Sequence, residues 1–365
     1  MSLLLFMAGL ALLIAGASIL VRGASGLALS FGISPLVVGL TIVAFGTSSP
    51  EVAVSVGAVL DGRTDIAIGN VVGSNIFNVL FILGVSALIT PLVVHSQLIR
   101  QEVPIMLGAS LLLVTMTLDG GLARLESALL LCLLIAYTVF IVLQSRREAQ
   151  TGDEAATGAT ADASRGASWV VQVFCVVVGL IALVVGSDWL VESATRFARA
   201  LGVSDVVIGL TIVAAGTSMP EVATSIAAAL KGERDIAVGN VVGSNTFNIL
   251  GCLGLSGVAA GSAGLALAPS LLTFDLWVML AVALACLPVF LTGRAIARWE
   301  GAVFVGYYAA YAGYLILDAQ AHDALPYFSA AMLSFVVPLT VVTLVVASIR
   351  KAPDSPSAGP ASRAP

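Results

Sequence analysis

Two carboxylates stand inside apolar stretches of this chain: Glu51 in Gly46-Thr47-Ser48-Ser49-Pro50-Glu51, and Glu221 in Gly216-Thr217-Ser218-Met219-Pro220-Glu221. A charge in hydrocarbon is costly unless it is paired, hydrated or liganded, so an intramembrane acid is read first as a functional group. Pro50 and Pro220 have no N–H, which frees a carbonyl one turn earlier, near Gly46 and Gly216. Glycine there permits an unusual backbone angle. Thr47 and Ser48 precede Glu51 by a helical turn, so an unbroken helix would set their hydroxyls beside its carboxylate. Thr217 and Ser218 stand in the same relation to Glu221. Carbonyl, hydroxyl and carboxylate oxygens together form the ligand set of a hard cation. A proline-kinked helix with back-bonded hydroxyls explains Pro, Ser and Thr, but not the acid.

Each acid is followed by the same second motif, Gly-Asn-Val-Val-Gly-Ser-Asn-x-Phe-Asn, at 69–78 and again at 239–248. Asn70, Ser74 and Asn78 recur at every fourth position and form one polar stripe on a helix. Gly69 and Gly73 form a small-xxx-small step that lets another helix approach closely. Helix packing glued by polar side chains would explain one such stripe. Its repetition at a fixed distance from the acid marks Ser74, Asn78, Ser244 and Asn248 as the remaining ligands. The repeat is larger than either motif: 33–84 and 203–254 align without a gap at an offset of 170, and most positions are identical. Two acids at matched places in two halves point to one site built from both.

The elements that position these residues are transmembrane helices. The chain is 59% hydrophobic and 10% charged, with mean hydropathy +1.07, whereas a soluble domain is about 25% charged. The bilayer must be its solvent. Spans of sufficient length fall at 3–30, 35–60, 66–89, 98–118 and 122–144, then at 169–199, 205–230, 236–260, 270–292 and 298–318, with an eleventh at 326–349. The polar stretch 145–167 reads as a flexible linker, and the Pro/Ser/Ala-rich tail from Lys351 as disordered. Ser34-Pro35 reads as an N-cap followed by proline at the first helical position. Asp65 and Asp235 read as helix-capping residues in interfacial loops. The N-terminal stretch lacks a basic leader and reads as a permanent span. Five spans per half is an odd number, so the second half enters the membrane inverted. With the N-terminus outside, Arg22, Arg100, Arg146, Arg147, Arg165, Lys231, Arg234, Arg294, Arg298, Arg350, Lys351 and Arg363 fall on the cytoplasmic side, and only Arg63, Arg124, Arg196 and Arg199 outside. That asymmetry supports N-out, C-in and the eleventh span. Inverted repeats with a site at their interface are a transporter architecture.

Net charge is −5 and no basic block suits nucleic acid. Cys132, Cys175, Cys252 and Cys286 lack zinc-type or CxxC spacing and read as packing residues. His95 and His322 stand one per loop, without a second ligand nearby. Arg22, Asp188 and Glu192 read as snorkelling groups on the long spans, and Glu102, Asp119, Glu126, Asp275 and Glu300 as span-end residues solvated by loops.

The paired motifs resemble the alpha repeats of the calcium/cation antiporter superfamily, in its sodium/calcium exchanger branch. The resemblance implies an all-α polytopic membrane protein: two inverted five-helix repeats (1–144 and 168–318), a cytoplasmic linker (145–167), one extra C-terminal transmembrane helix (319–350) and a tail (351–365). It implies four central ion sites, with Glu51 and Glu221 as the central acids. Thr47, Ser48, Ser74 and Asn78 match ligand positions in the first half, and Thr217, Ser218 and Ser244 match them in the second. Ala44 and Ala214 match places where backbone carbonyls bind Na⁺. Asn248 departs from members with Asp there, and Asn78 departs from potassium-dependent members with Asp. The long first and sixth spans are expected to slide as a gate. The implied function is Ca²⁺/Na⁺ antiport across the cytoplasmic membrane, not enzyme catalysis. No cofactor is implied, the partners are lipid and small inorganic cations, and a monomer suffices. A proton-coupled (or K⁺-dependent) Ca²⁺/cation antiporter is the nearest alternative. A cation channel and a non-transporting sensor are remoter ones, and an ATP-driven pump is excluded because the chain has no P-loop.

Overall fold

The computed structural model describes residues 2–155, 169–201 and 214–349, and these are almost wholly helical. In the first half run α1 (Ser2–Phe31), α2 (Pro35–Thr47), α3 (Ser49–Leu60), α4 (Thr64–Ile89), α5 (Leu98–Met116) and α6 (Arg124–Ala155). The second half holds α7 (Trp169–Ala200), a short turn at Ala214–Gly216, α8 (Met219–Leu230), α9 (Arg234–Ala259), α10 (Leu271–Leu291) and α11 (Arg298–Ala319), and α12 (Leu325–Thr343) follows. Among the described residues nine helices are long and apolar enough to cross a membrane, or ten if the bent pair α2–α3 is one span. The first part of the span expected at 205–230 lies outside the described residues, as do the tail and most of the linker. α6 continues to Ala155, so the stretch from 145 begins as helix rather than as flexible chain. The cap at Ser34 forms as the sequence reads, its hydroxyl accepting the Val37 N–H at 3.2 Å ahead of Pro35. Asp65 and Asp235 differ from expectation: they lie inside the first turns of α4 and α9, where a negative charge faces the positive end of the helix dipole.

Burial follows the bilayer rather than water. The hydropathic window of α9 is buried throughout and that of α4 mostly, while α12 buries none of its own. Large apolar side chains such as Leu4, Leu125 and Leu333 point outward, where hydrocarbon satisfies them. The motif helices α4 and α9 therefore form the centre, and the plainer hydrophobic helices surround it.

The halves are bound to each other more than to themselves. α1 and α7 pack along their lengths. A Cβ placed on Gly9 would come 2.8 Å from the Gly186 carbonyl oxygen, and one on Gly16 would come 2.9 Å from that of Gly179. These glycines exist for close approach. Two short antiparallel ribbons cross between halves: β1 (Leu92–Val93) pairs with β4 (Ala295–Ile296), and β2 (Gly121–Leu122) pairs with β3 (Leu265–Ala266). The small-xxx-small step of the second motif also works across the interface. Gly243 admits Leu40, whose carbonyl oxygen would lie 2.7 Å from an added Cβ, and Gly239 admits Leu36.

Candidate cation site

The helix of span two breaks at Ser48, where the backbone turns to φ −82, ψ 7, and α2 and α3 meet at 42°. Ser218 takes nearly the same conformation, φ −88, ψ 8, ahead of α8. Each break precedes a helix whose first turn contains proline and the acid. Broken helices at membrane depth leave polar groups that only a cavity or an ion can satisfy. Gly46 serves the break differently from expectation. Its φ is not positive, and instead it clears space for Leu180 of α7, whose side chain would lie 2.6 Å from an added Cβ. Gly216 clears the same space for Val191.

Both acids are fully buried, and each takes its hydroxyl donor from the opposite half. Ser218 Oγ donates to Glu51 Oε1 at 2.8 Å, and Ser48 Oγ donates to Glu221 Oε1 at 2.9 Å. This corrects the sequence-local pairing of Ser48 with Glu51: the break rotates the serine away from its own helix and across the interface. Ser218 also reaches Ser74 Oγ at 3.2 Å. Thr47 Oγ1 turns to Asn240 Oδ1 at 3.1 Å and, more weakly, to the Ala44 carbonyl at 3.4 Å. That carbonyl also accepts the Ser48 N–H at 3.0 Å, so it is engaged rather than free. Ala214 opens the turn Ala214–Gly216, and the Gly216 carbonyl is held by Ser187 Oγ of α7 at 2.6 Å.

Thr217 lies beside Glu51, and Ser244 beside Glu221, without hydrogen-bond geometry to either carboxylate. Glu51 Oε2, Glu221 Oε2, Asn78 Oδ1, Asn248 Oδ1, Thr217 Oγ1 and Ser244 Oγ are all buried and have no hydrogen-bond partner among the described residues. An unsatisfied buried polar atom costs about 1–3 kcal/mol, and more when charged. Six such oxygens gather on the motif residues of both halves, an arrangement that a bound cation would satisfy. Oxygen donors without sulfur or imidazole suit Na⁺ or Ca²⁺ rather than a transition metal.

Further residues complete the site. Asn78 and Asn248 each open a π-helical segment, Asn78–Leu83 and Asn248–Cys252, while their own N–H groups still reach the Ser74 and Ser244 carbonyls one turn back. Asn70, on the stripe, is not a donor to the cavity. Its Nδ2 holds the Glu51 carbonyl at 3.2 Å and Ser55 Oγ at 3.0 Å. Asn240 does the same for Glu221 at 3.5 Å and Ser225 at 3.0 Å. Asn75 and Asn245, off the stripe, meet across the interface: each Nδ2 donates to the other's backbone carbonyl at 3.3 Å. Asn78 Nδ2 donates to Asn245 Oδ1 at 3.0 Å, and Asn248 Nδ2 donates to Asn75 Oδ1 at 3.1 Å. The only signal for Asn75 and Asn245 in the sequence was their recurrence in both copies.

The peripheral acids also differ from expectation. Glu102 is fully buried and accepts from Tyr137 Oη at 2.7 Å and from Gln97 and Gln101 at 3.0 Å each. Asp275 accepts from Tyr311 Oη at 2.8 Å, and Glu300 from the Ala297 N–H at 2.7 Å. Protein donors reach all three, although Glu300 Oε1 is buried without a partner among the described residues. Glu192 on α7 pairs with Arg196 at the surface.

The model of the sodium/calcium exchanger protein family matches residues 1–143 and 171–317, one block in each half. This chain belongs to the sodium/calcium exchanger family. The family is one of cation antiporters, not enzymes. Among its relatives is the inner membrane protein YrbG of Escherichia coli, 39% identical over 252 residues, which cover 69% of this chain and 78% of that protein. The sodium/calcium exchanger MaX1 of Methanosarcina acetivorans is 34% identical, covering 67% and 79%. The solved sodium-calcium exchanger NCX_Mj superposes with TM-score 0.72 at 30% identity, covering 87% of this chain and 97% of that one. The likeness establishes the all-α polytopic fold for an exchanger-family chain.

Proposed function

We propose that this exchanger-family chain moves Ca²⁺ against Na⁺ by alternating access at the cage between its halves. The observation that carries the reading is the set of orphan oxygens around two carboxylates that face each other through exchanged serines. Glu51, Glu221, Thr47, Ser48, Ser74, Asn78, Thr217, Ser218, Ser244 and Asn248 are its side-chain ligand positions, and the carbonyls of Ala44 and Ala214 join when Na⁺ is the load. For Ala44 this means giving up the weak Thr47 bond.

The central charge is two carboxylates, so one Ca²⁺ or two Na⁺ neutralise it, and three Na⁺ leave one positive charge in excess. Either load offsets the cost of burying both acids, which lets a filled cage change exposure while an empty one resists. Competition for one cage then produces exchange. The basic-residue asymmetry supports an N-terminus outside and a C-terminus in the cytoplasm.

The test is ⁴⁵Ca²⁺ uptake into proteoliposomes driven by an outward Na⁺ gradient, by a proton gradient or by neither. Uptake with Na⁺ alone is expected. Uptake driven by protons without Na⁺ would replace the coupling ion, and uptake with neither would indicate a channel. Glu51→Gln and Glu221→Gln should each abolish exchange while leaving the protein inserted.

A further inference from the structure

We propose that Asn75 and Asn245 are positioning residues that force the amide oxygens of Asn78 and Asn248 toward the transported cation. The inference rests on reading the cage as the cation site and deepens it.

The argument is one of donors and acceptors. A backbone carbonyl can only accept. The Asn75 carbonyl takes Asn245 Nδ2, and the Asn245 carbonyl takes Asn75 Nδ2. These bonds fix which end of each amide is nitrogen. The other end of each, Oδ1, can likewise only accept, and it faces Asn248 in one case and Asn78 in the other. Asn78 and Asn248 must therefore spend their NH₂ groups on the ring. Their oxygens are left over, turned away from it, buried and without partners among the described residues. No amide in the ring can flip alone without setting two donors or two acceptors against each other.

The device solves a problem specific to amides. A carboxylate offers oxygen at both ends, but an amide turned the wrong way would present its NH₂ to the cation. The ring removes that choice at two ligands at once, and every link crosses between α4 and α9. It also lets the cage gain two oxygens without gaining charge, so its formal charge stays at the two carboxylates that one divalent ion neutralises.

The test measures the Ca²⁺ dependence of Na⁺-driven uptake in proteoliposomes for four proteins: the parent, Asn245→Ala, Asn78→Asp and the double variant. Asn245→Ala is expected to raise KM about 10- to 100-fold, the usual loss when a group that orients a metal ligand is removed, with the maximal rate retained. Asn78→Asp alone sets a carboxylate oxygen against Asn245 Oδ1 and is expected to raise KM as well. In the double variant the aspartate needs no orientation, so KM should fall back toward the parent. A packing role would instead give Asn78→Asp the same effect in both backgrounds, and that result overturns the proposal, as does an unchanged KM in Asn245→Ala. If Asn245→Ala does not insert, Asn75→Ala with Asn248→Asp poses the same question from the other side. Asn78→Asp alone also decides: a lowered KM in the otherwise native chain means no donor is needed at that position. Glu51→Gln in the same assay separates the two readings. If it keeps the parental KM, the cage itself is wrong; if it loses transport while Asn245→Ala keeps the parental KM, only the ring is wrong.

Discussion

Ser218→Ala tests the exchange of donors between halves. The substitution removes the 2.8 Å bond to Glu51 Oε1 and the 3.2 Å contact with Ser74. A hydrogen bond to a charged group contributes about 1.5–3 kcal/mol against 0.5–1.5 for a neutral one. Ser218→Ala should therefore lower the unfolding free energy of the ion-free protein by about 1.5–3 kcal/mol. In a Glu51→Gln background the bond is already neutral, so the loss should shrink, giving a coupling energy on the order of 1 kcal/mol. In a Glu221→Gln background the loss should be undiminished, although Glu221 is three residues away in sequence and Glu51 is 167. Ser48→Ala should show the mirror pattern, coupling to Glu221 and not to Glu51. Denaturant unfolding in detergent, without Na⁺ or Ca²⁺, supplies all the corners of both cycles. Stronger coupling of Ser218 to Glu221 than to Glu51 would refute the crossed geometry.

Gly16→Ala should wedge α1 from α7, because its Cβ meets the Gly179 carbonyl at 2.9 Å and Ala182 at 3.0 Å; overpacking of this kind costs about 1–3 kcal/mol, and unchanged thermal stability and uptake would contradict it. Tyr137→Phe should destabilise the protein by about 1.5–3 kcal/mol, the worth of one donor to the buried Glu102 carboxylate, and clearly less when Glu102 is already Gln; equal losses would show that the tyrosine acts by packing. Burial, and then the nearby Arg22, hold the Lys231 ammonium below its ordinary range, while its Nζ donates to the Ser18 carbonyl at 2.6 Å. The unfolded chain thus binds the extra proton more tightly, so this group's contribution to stability rises with pH up to its unfolded value near about 10.4. Lys231→Gln should flatten that rise, and a slope that survives in an alkaline stability series would assign it to another group.

Much of this was legible in the residues because the bilayer imposes simple rules. Apolar length found the helices, Ser34-Pro35 found a helix start, and two acids in apolar surroundings pointed to the proposed site. What stayed hidden is what lies across the interface. The serine nearest Glu51 on a helical ladder is Ser48, and only the break at Ser48 sends it to Glu221. Asn70, on the stripe, became a brace for the backbone, and Asn78 and Asn248 turned their NH₂ groups to asparagines of the opposite half. Glu102 and Asp275 stood near span ends, where loop water is the plain expectation. Their tyrosine partners lie 35 and 36 residues further on, at a distance no local pattern reveals.

The crossed serines set an order of events during synthesis. A nascent chain that has delivered Glu51 to the membrane has yet to make Ser218, the residue whose hydroxyl quiets that carboxylate. The strands that receive β1 and β2 are also still to come. The leading bundle must therefore wait half-finished, its acid hydrated or protonated, until its mirror twin arrives to close it. Each half leaves bonds for the other to complete, and the joining of the two is the same act that gives both acids their serines.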